Sequence, residues 1–206
     1  VIPFRVLVIT DWSRPDCVDR VRAAVSAGPG VAVQHRHPGA TDRVFFEEAL
    51  RLREVVGEAP LFINGRLDVA LALGAHLHLN EGSIAPEDAR RHLGTRWISA
   101  SWHPPAPPRT GVDVLVMSPI FTPHSKPADR PPLGVEGFRR FARGVDVPVF
   151  ALGGLSAERA RDFERVAVIG EVMHSVDPAG ATRALLRNLG SPPLPNPPPR
   201  GRGQLG

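Results

Sequence analysis

Apolar and polar positions along this chain form short apolar runs separated by longer amphipathic stretches, and the two kinds alternate. Residues 4–10, 31–34, 61–64, 76–79, 97–101, 112–117, 147–151 and 166–169 are strand-length apolar runs. Between them, apolar residues recur three and four apart, as in Val18, Val21, Ala24 and Val25, or in Phe45, Ala49, Leu50 and Leu52. That spacing predicts helices over 16–27, 41–56, 66–73, 86–93, 135–143, 157–163 and 178–188. Near-continuous apolar strands joined by helices indicate a parallel sheet covered on both faces. Eight strands in this rhythm predict a closed (β/α)8 barrel of the TIM type, with phosphate-binding loops at the C-terminal strand ends. An open doubly wound sheet is the structural alternative.

Two segments break the rhythm. Pro104, Pro105, Pro107 and Pro108 stand where the helix after the fifth strand is due, and prolines at that density predict an extended loop. Residues 190–206 are rich in Pro, Gly and Arg with little to bury, so a disordered tail is expected beyond a barrel of residues 1–189.

Composition narrows the function classes. A chain of 206 residues that is 42% apolar can bury one sizeable core. The net charge of +4 and high pI would suit nucleic acid, but aromatics are 6% and tyrosine is absent, so a stacking surface is lacking and no nucleic-acid partner is expected. The single cysteine, Cys17, cannot form an intrachain disulfide and fits a reducing cytoplasm. No apolar run approaches the roughly 20 residues of a membrane span, so no membrane partner is expected. Oligomeric state is left open.

Candidate chemistry gathers after the strands. His35, His37, His76, His78, His103 and His124 all fall at or beyond predicted strand ends. The i, i+2 pairs His35/His37 and His76/His78 have a spacing used by zinc sites, but alternation that aims Gln34 and Arg36 into a site turns His35 and His37 away, and no metal ligands are assigned. One of the 25 basic residues is a lysine, Lys126, set in a loop with Thr122, His124 and Ser125 after the sixth strand. Hydroxyls beside a compact ammonium suit an anion such as phosphate. Gly153 and Gly154 follow the seventh strand and precede a helix start at Ser156, a second arrangement suited to an anion.

The order of Val8-Ile9-Thr10-Asp11, Val33-Gln34-His35-Arg36, Phe62-Ile63-Asn64, the segment 66–75, His78-Leu79, Ser101 with His103, Pro119-Ile120-Phe121 with Ser125-Lys126, and Ala151-Leu152-Gly153-Gly154 resembles the thiamine phosphate synthase and TenI-like family over about residues 4–188. The resemblance implies a phosphate-binding barrel in which Gln34, Arg36 and Asn64 contact a pyrimidine diphosphate. Ser101 and Lys126 would then hold diphosphate, while Ser125, Gly153 and Gly154 meet a thiazole phosphate; Thr122, in the same loop as Ser125, is a further substrate-binding candidate. In the synthase that coupling uses Mg²⁺ on two aspartates. Those aspartates fall here at Gly65 and Ser83, an expected basic residue falls at Pro38, and the Pro-Thr order of the phosphate loop is inverted to Thr122-Pro123.

TenI-like relatives tautomerise a thiazole carboxylate phosphate through a histidine, which aligns here with Pro119. The departures favour a diverged TenI-like, tautomerase-type enzyme that binds thiazole phosphate or thiamine phosphate. Its catalytic candidates are His124, His103, His78 and Lys126. The alternatives are a thiamine phosphate synthase and a non-catalytic phosphate-ligand binding protein. No cofactor is expected, except Mg²⁺ if synthase activity is retained, and the partner is a small-molecule phosphate.

Overall fold

The computed structural model describes residues 2–122 and 130–190. The expectations for His124, Ser125, Lys126 and most of the Pro-rich tail fall outside the described residues. Eight strands form a closed, all-parallel barrel in chain order: β1 (Val6–Ile9), β2 (Val31–His35), β3 (Leu61–Asn64), β4 (His76–Leu79), β5 (Ile98–Trp102), β6 (Val114–Met117), β7 (Val149–Leu152) and β8 (Val166–Val168). Closure runs through the register Val6↔Val166, Leu7↔Ala167 and Val8↔Val168. The open-sheet alternative is thereby excluded.

Parity along each strand sorts the apolar residues into two layers. Val31 and Val33 of β2 face outward to the helices, whereas Ala32 faces inward with Leu7, Phe62, Val114, Phe150 and Ala167. The outer layer is closed by α1 (Cys17–Val25), α2 (Asp42–Val56), α3 (Leu67–Ala72), α4 (Pro86–Leu93), α5 (Gly134–Ala142), α6 (Gly170–Met173) and α7 (Pro178–Asn188). Thr41 caps α2 by accepting from the Val44 amide, and Asp177 caps α7 from Gly180. Pro86 and Pro178 open α4 and α7, where a missing N–H costs nothing.

Three sequence expectations need correction. His76 does not reach the rim: it opens β4 at the N-terminal floor, where its ring stacks on Trp97 at 4.5 Å and meets Phe62 at 5.0 Å. Phe4 completes this plug against Phe62 and Phe150 at 5.6 and 5.3 Å. The helix expected over 157–163 is a single 3-10 turn, Arg159–Asp162, because the chain must return at once to lay Val166 beside Ala151. The short α6, not foreseen, follows β8 directly. No helix lies between β5 and β6, as the prolines require.

Burial holds three rings neutral. Burial in the outer wall, with smaller repulsion from His37, pushes His35 down from 6.5 to about 4. Burial, then Arg96 and Arg53, takes His76 down to about 4, and burial with Arg36 takes His78 to about 3. Their stabilising effect is therefore complete above pH 6.5. As pH falls below that value the unfolded chain binds protons that the folded chain refuses, until pH reaches the folded values near 3 to 4. Urea unfolding between pH 7.5 and 4.5 is expected to show a loss on the order of a few kcal/mol. The variant His76→Phe, which keeps a ring beside Trp97, flattens part of that slope even where it lowers the plateau.

Candidate functional site

A cleft of about 1730 Å³ opens at the C-terminal face of the barrel. Its base is formed by inward positions at the strand ends: Ile9, Gln34, Asn64, His78, Ser101, Val116 and Leu152. Its walls are the loops after β1, β2, β4, β5 and β8, which bring Asp11, Arg36, Glu81, His103 and His174. The strands fix the base because side chains two apart must share a face, and loops carry the charged groups because the barrel interior cannot solvate them.

The second strand shows the parity most clearly. Gln34 is 2% exposed and lines the cleft, and its Nε2 has no hydrogen-bond partner among the described residues. An unpartnered buried amide costs about 1–3 kcal/mol, a cost a bound acceptor would remove. Arg36 is exposed in the cleft wall, its backbone amide held by Thr10 Oγ1 at 2.9 Å. His35 points outward. Its Nδ1 accepts from Trp12 Nε1 at 3.2 Å, so Nε2 carries the proton and donates to the Phe45 carbonyl at 3.1 Å. His37 donates Nδ1–H to the buried Glu48 carboxylate at 2.9 and 3.0 Å. Both ring nitrogens of His35 are thus occupied, whereas His37, which alternation was expected to turn away, lines the cleft, and its Nε2 has no hydrogen-bond partner among the described residues.

On β4 and β5, His78 lies between two hydroxyls, Ser99 Oγ at 2.9 Å and Ser101 Oγ at 3.0 Å. With both nitrogens occupied and its basicity strongly depressed by burial, His78 is poorly suited to shuttle protons and instead orients Ser101 at the cleft floor. His103 differs. Its Nδ1 meets the Ser118 carbonyl at 2.8 Å, and a carbonyl only accepts, so Nδ1 carries the proton and Nε2 keeps its lone pair.

Around Gly65 and Ser83, where the resemblance puts metal aspartates, the structure holds a neutral cluster. Asn80 donates Nδ2–H to Asn64 Oδ1 at 3.0 Å, and its Oδ1 accepts from the Gly82 amide at 2.9 Å and from Ser83 Oγ at 3.1 Å. Gly65 sits at φ +69°, and a Cβ there would stand 2.9 Å from Asn80 Nδ2. The nearby carboxylates are engaged: Glu81 pairs with Arg130 at 2.8 Å, which with Arg109 and His103 holds it below the usual range, and Asp68 is bridged by Arg66 at 2.9 and 3.2 Å. Mg²⁺ requires carboxylate oxygens, and among the described residues no three His, Cys, Asp or Glu side chains are grouped to hold a metal. These residues do not fit the ion.

The glycine pair meets the loop after β6. Ile120 N donates to the Leu152 carbonyl at 2.9 Å and Phe121 N to Gly153 at 3.0 Å, drawing the two loops together. A Cβ on Gly154, at φ +59°, would lie 2.7 Å from the Thr122 carbonyl, and one on Gly153, at φ +111°, 3.2 Å from Ile120 N. Both glycines thus serve a close backbone approach, and the Thr122 backbone lies against Gly154.

The wall at β1 and β8 holds a pair that sequence reading missed. His174 donates Nε2–H to Asp11 Oδ2 at 2.8 Å, and Asp11 Oδ1 accepts from the Ser13 amide at 3.0 Å. The two residues are 163 apart in sequence, and the signal available was that strand closure makes β8 the neighbour of β1.

Comparison with known proteins agrees with this architecture. A family described as thiamine monophosphate synthase matches residues 6–172. A thiamine-phosphate synthase of Chloroflexus aurantiacus is 33% identical, covering 90% of this chain and 92% of that protein. One from a Synechococcus strain is 34% identical, but this chain spans only 56% of its length. The solved thiamine phosphate pyrophosphorylase of Pyrococcus furiosus superposes with a TM-score of 0.78 at 29% identity, covering 90% and 95% of the two chains.

Gly154→Ala is expected to lower stability by about 1–3 kcal/mol through strain at positive φ and contact with Thr122. The urea midpoint of the variant, at unchanged denaturant slope, measures it.

Proposed function

This chain belongs to the thiamine phosphate synthase and TenI-like family, and on that premise we propose that it binds thiazole phosphate or thiamine phosphate in the cleft and performs tautomerase-type proton transfer. The observation that carries this reading is the neutral Asn64–Asn80–Ser83 cluster around Gly65 and Ser83, the two positions the resemblance gives to metal aspartates. Coupling a pyrimidine diphosphate releases a multiply charged leaving group, and stabilising it without a divalent cation forfeits several kcal/mol. A tautomerisation has no leaving group. It needs an imidazole that can exchange a proton, and among the described candidates His103 has that capacity while His78 does not.

Recognition of the phosphate is assigned to the loops after β6, β7 and β8, where barrels of this type commonly place it. Gly153 and Gly154 supply backbone, by the resemblance Lys126 and Ser125 supply a cation and a hydroxyl, and Thr122 adds a second hydroxyl. Gln34 offers its unpartnered amide and Ser101 its hydroxyl to the organic part of the ligand.

Synthase activity is the second reading. It is favoured by the cleft's volume, by Gln34 and Arg36 in its wall, and by the activity in the relatives' names. A non-catalytic binding protein would share the same grip and consume nothing.

A mass-detected assay separates the three. The thiazole carboxylate phosphate tautomer, supplied alone, is expected to isomerise without Mg²⁺, with His103→Gln lowering kcat by about 100-fold. Pyrimidine diphosphate with thiazole phosphate and Mg²⁺ is expected to yield no thiamine phosphate. Product from the second mixture would make the chain a synthase despite Gly65 and Ser83. Binding without turnover in either would leave the non-catalytic reading. Separately, Lys126→Ala is expected to weaken thiamine phosphate binding by about tenfold or more in titration calorimetry, and an unchanged Kd removes Lys126 from the grip.

A further inference from the structure

We infer that His174, positioned by Asp11, is a second proton-transfer residue of the cleft, acting opposite His103. Three observations converge. First, the tautomer is fixed: Asp11 Oδ2 takes the Nε2–H of His174 at 2.8 Å, so Nδ1 keeps the lone pair. Second, the orienting carboxylate is itself anchored, because Asp11 Oδ1 accepts from the Ser13 amide at 3.0 Å, and against the upward pull of partial burial the hydrogen bonds from Ser13 and His174 hold its pKa below the usual carboxylate range. Third, Nδ1 has no hydrogen-bond partner among the described residues. It lies next to Gly170, where a Cβ would come within 3.7 Å, and Gly170 is absent from the positive-φ glycines, so the backbone does not demand glycine there. The missing side chain leaves room at the nitrogen. A carboxylate on one imidazole nitrogen with the other unbonded is the arrangement that fixes a catalytic histidine's tautomer and orientation.

Strand order places the two histidines on different walls. His174 follows β8 and leans on the β1 loop, while His103 follows β5, the strand diametrically opposite β1 in an eight-stranded ring. A ligand in the cleft would have one imidazole on either side. The step balances as a prototropic isomerisation. The substrate C–H bond breaks, its electron pair enters the conjugated system, and the proton goes to His174 Nδ1. His103 Nε2–H, in the protonated ring, delivers a proton to the distal atom of that system. The substrate's formula is unchanged, and solvent exchange resets both rings. Asp11 never touches the substrate and is a positioning residue.

This inference rests on the tautomerase reading, and its test separates the two. With the thiazole carboxylate phosphate tautomer as substrate, His174→Gln is expected to lower kcat by about 100-fold or more with KM within about threefold. Asp11→Asn is expected to lower kcat by at least about tenfold, with partial recovery in Asp11→Glu, a pattern that loss of fold does not produce. Wild-type-like kcat in His174→Gln overturns the inference and leaves the tautomerase reading standing. In parallel, the ring ¹⁵N resonances of His174 are followed in the wild type as thiamine phosphate is added. If the wild type does not isomerise the substrate but Nδ1 shifts on binding, the reaction assigned above falls and His174 stands as a ligand-facing group. If Nδ1 does not move, the inference falls whatever the turnover.

Discussion

Closure of the sheet between β8 and β1 is the constraint on which the molecule depends. A closed parallel barrel has no free edge, so each strand's register is fixed by two neighbours and each side chain's direction by parity. Inward positions then have two fates according to height. At the N-terminal end they fill the floor with Phe4, Phe62, Phe150, His76 and Trp97; at the C-terminal end they leave a cleft floored by Gln34, Asn64, His78 and Ser101. The same closure brings the loop carrying Asp11 against the short helix before His174, so a structural necessity also builds one wall of the site.

Histidine chemistry in this chain follows from position. His35 and His76 are structural rings, neutral because burial forbids their charge, one bonded to Phe45 and the other stacked on Trp97. His78 is locked between Ser99 and Ser101 and serves to hold a hydroxyl. His103 and His174 each spend one nitrogen on a fixed acceptor and keep the other. That division separates rings that hold the fold from rings able to exchange protons, and a common residue type gives no hint of it.

The neutral Asn64–Asn80–Ser83 cluster and the glycine pair are two corners of the cleft built in different ways. Around Gly65 and Ser83, Asn80 satisfies the neighbouring amide and hydroxyl groups internally, so this corner has no unpaired charge to solvate. Gly153 and Gly154 keep the backbone approach between the β6 and β7 loops that presents the opposite corner. Both corners belong to a chain that aligns with thiamine-phosphate synthases over most of its length.

The sequence by itself determined the eight strands, their parallel order, the missing helix after β5 and the inward aim of Gln34 and Arg36. These are consequences of period-two and period-3.6 patterning and of proline's lost N–H, all local in the chain. It also raised the expectation of departures at Gly65 and Ser83, since these are matters of residue identity. Only the tertiary structure placed His76 on the floor, reduced the helix over 157–163 to one turn, and showed which imidazole nitrogens are spent. It alone brought Asp11 to His174 across 163 residues. Pairings of that kind depend on barrel closure and on single hydrogen-bond geometries, which leave no periodic trace in the sequence.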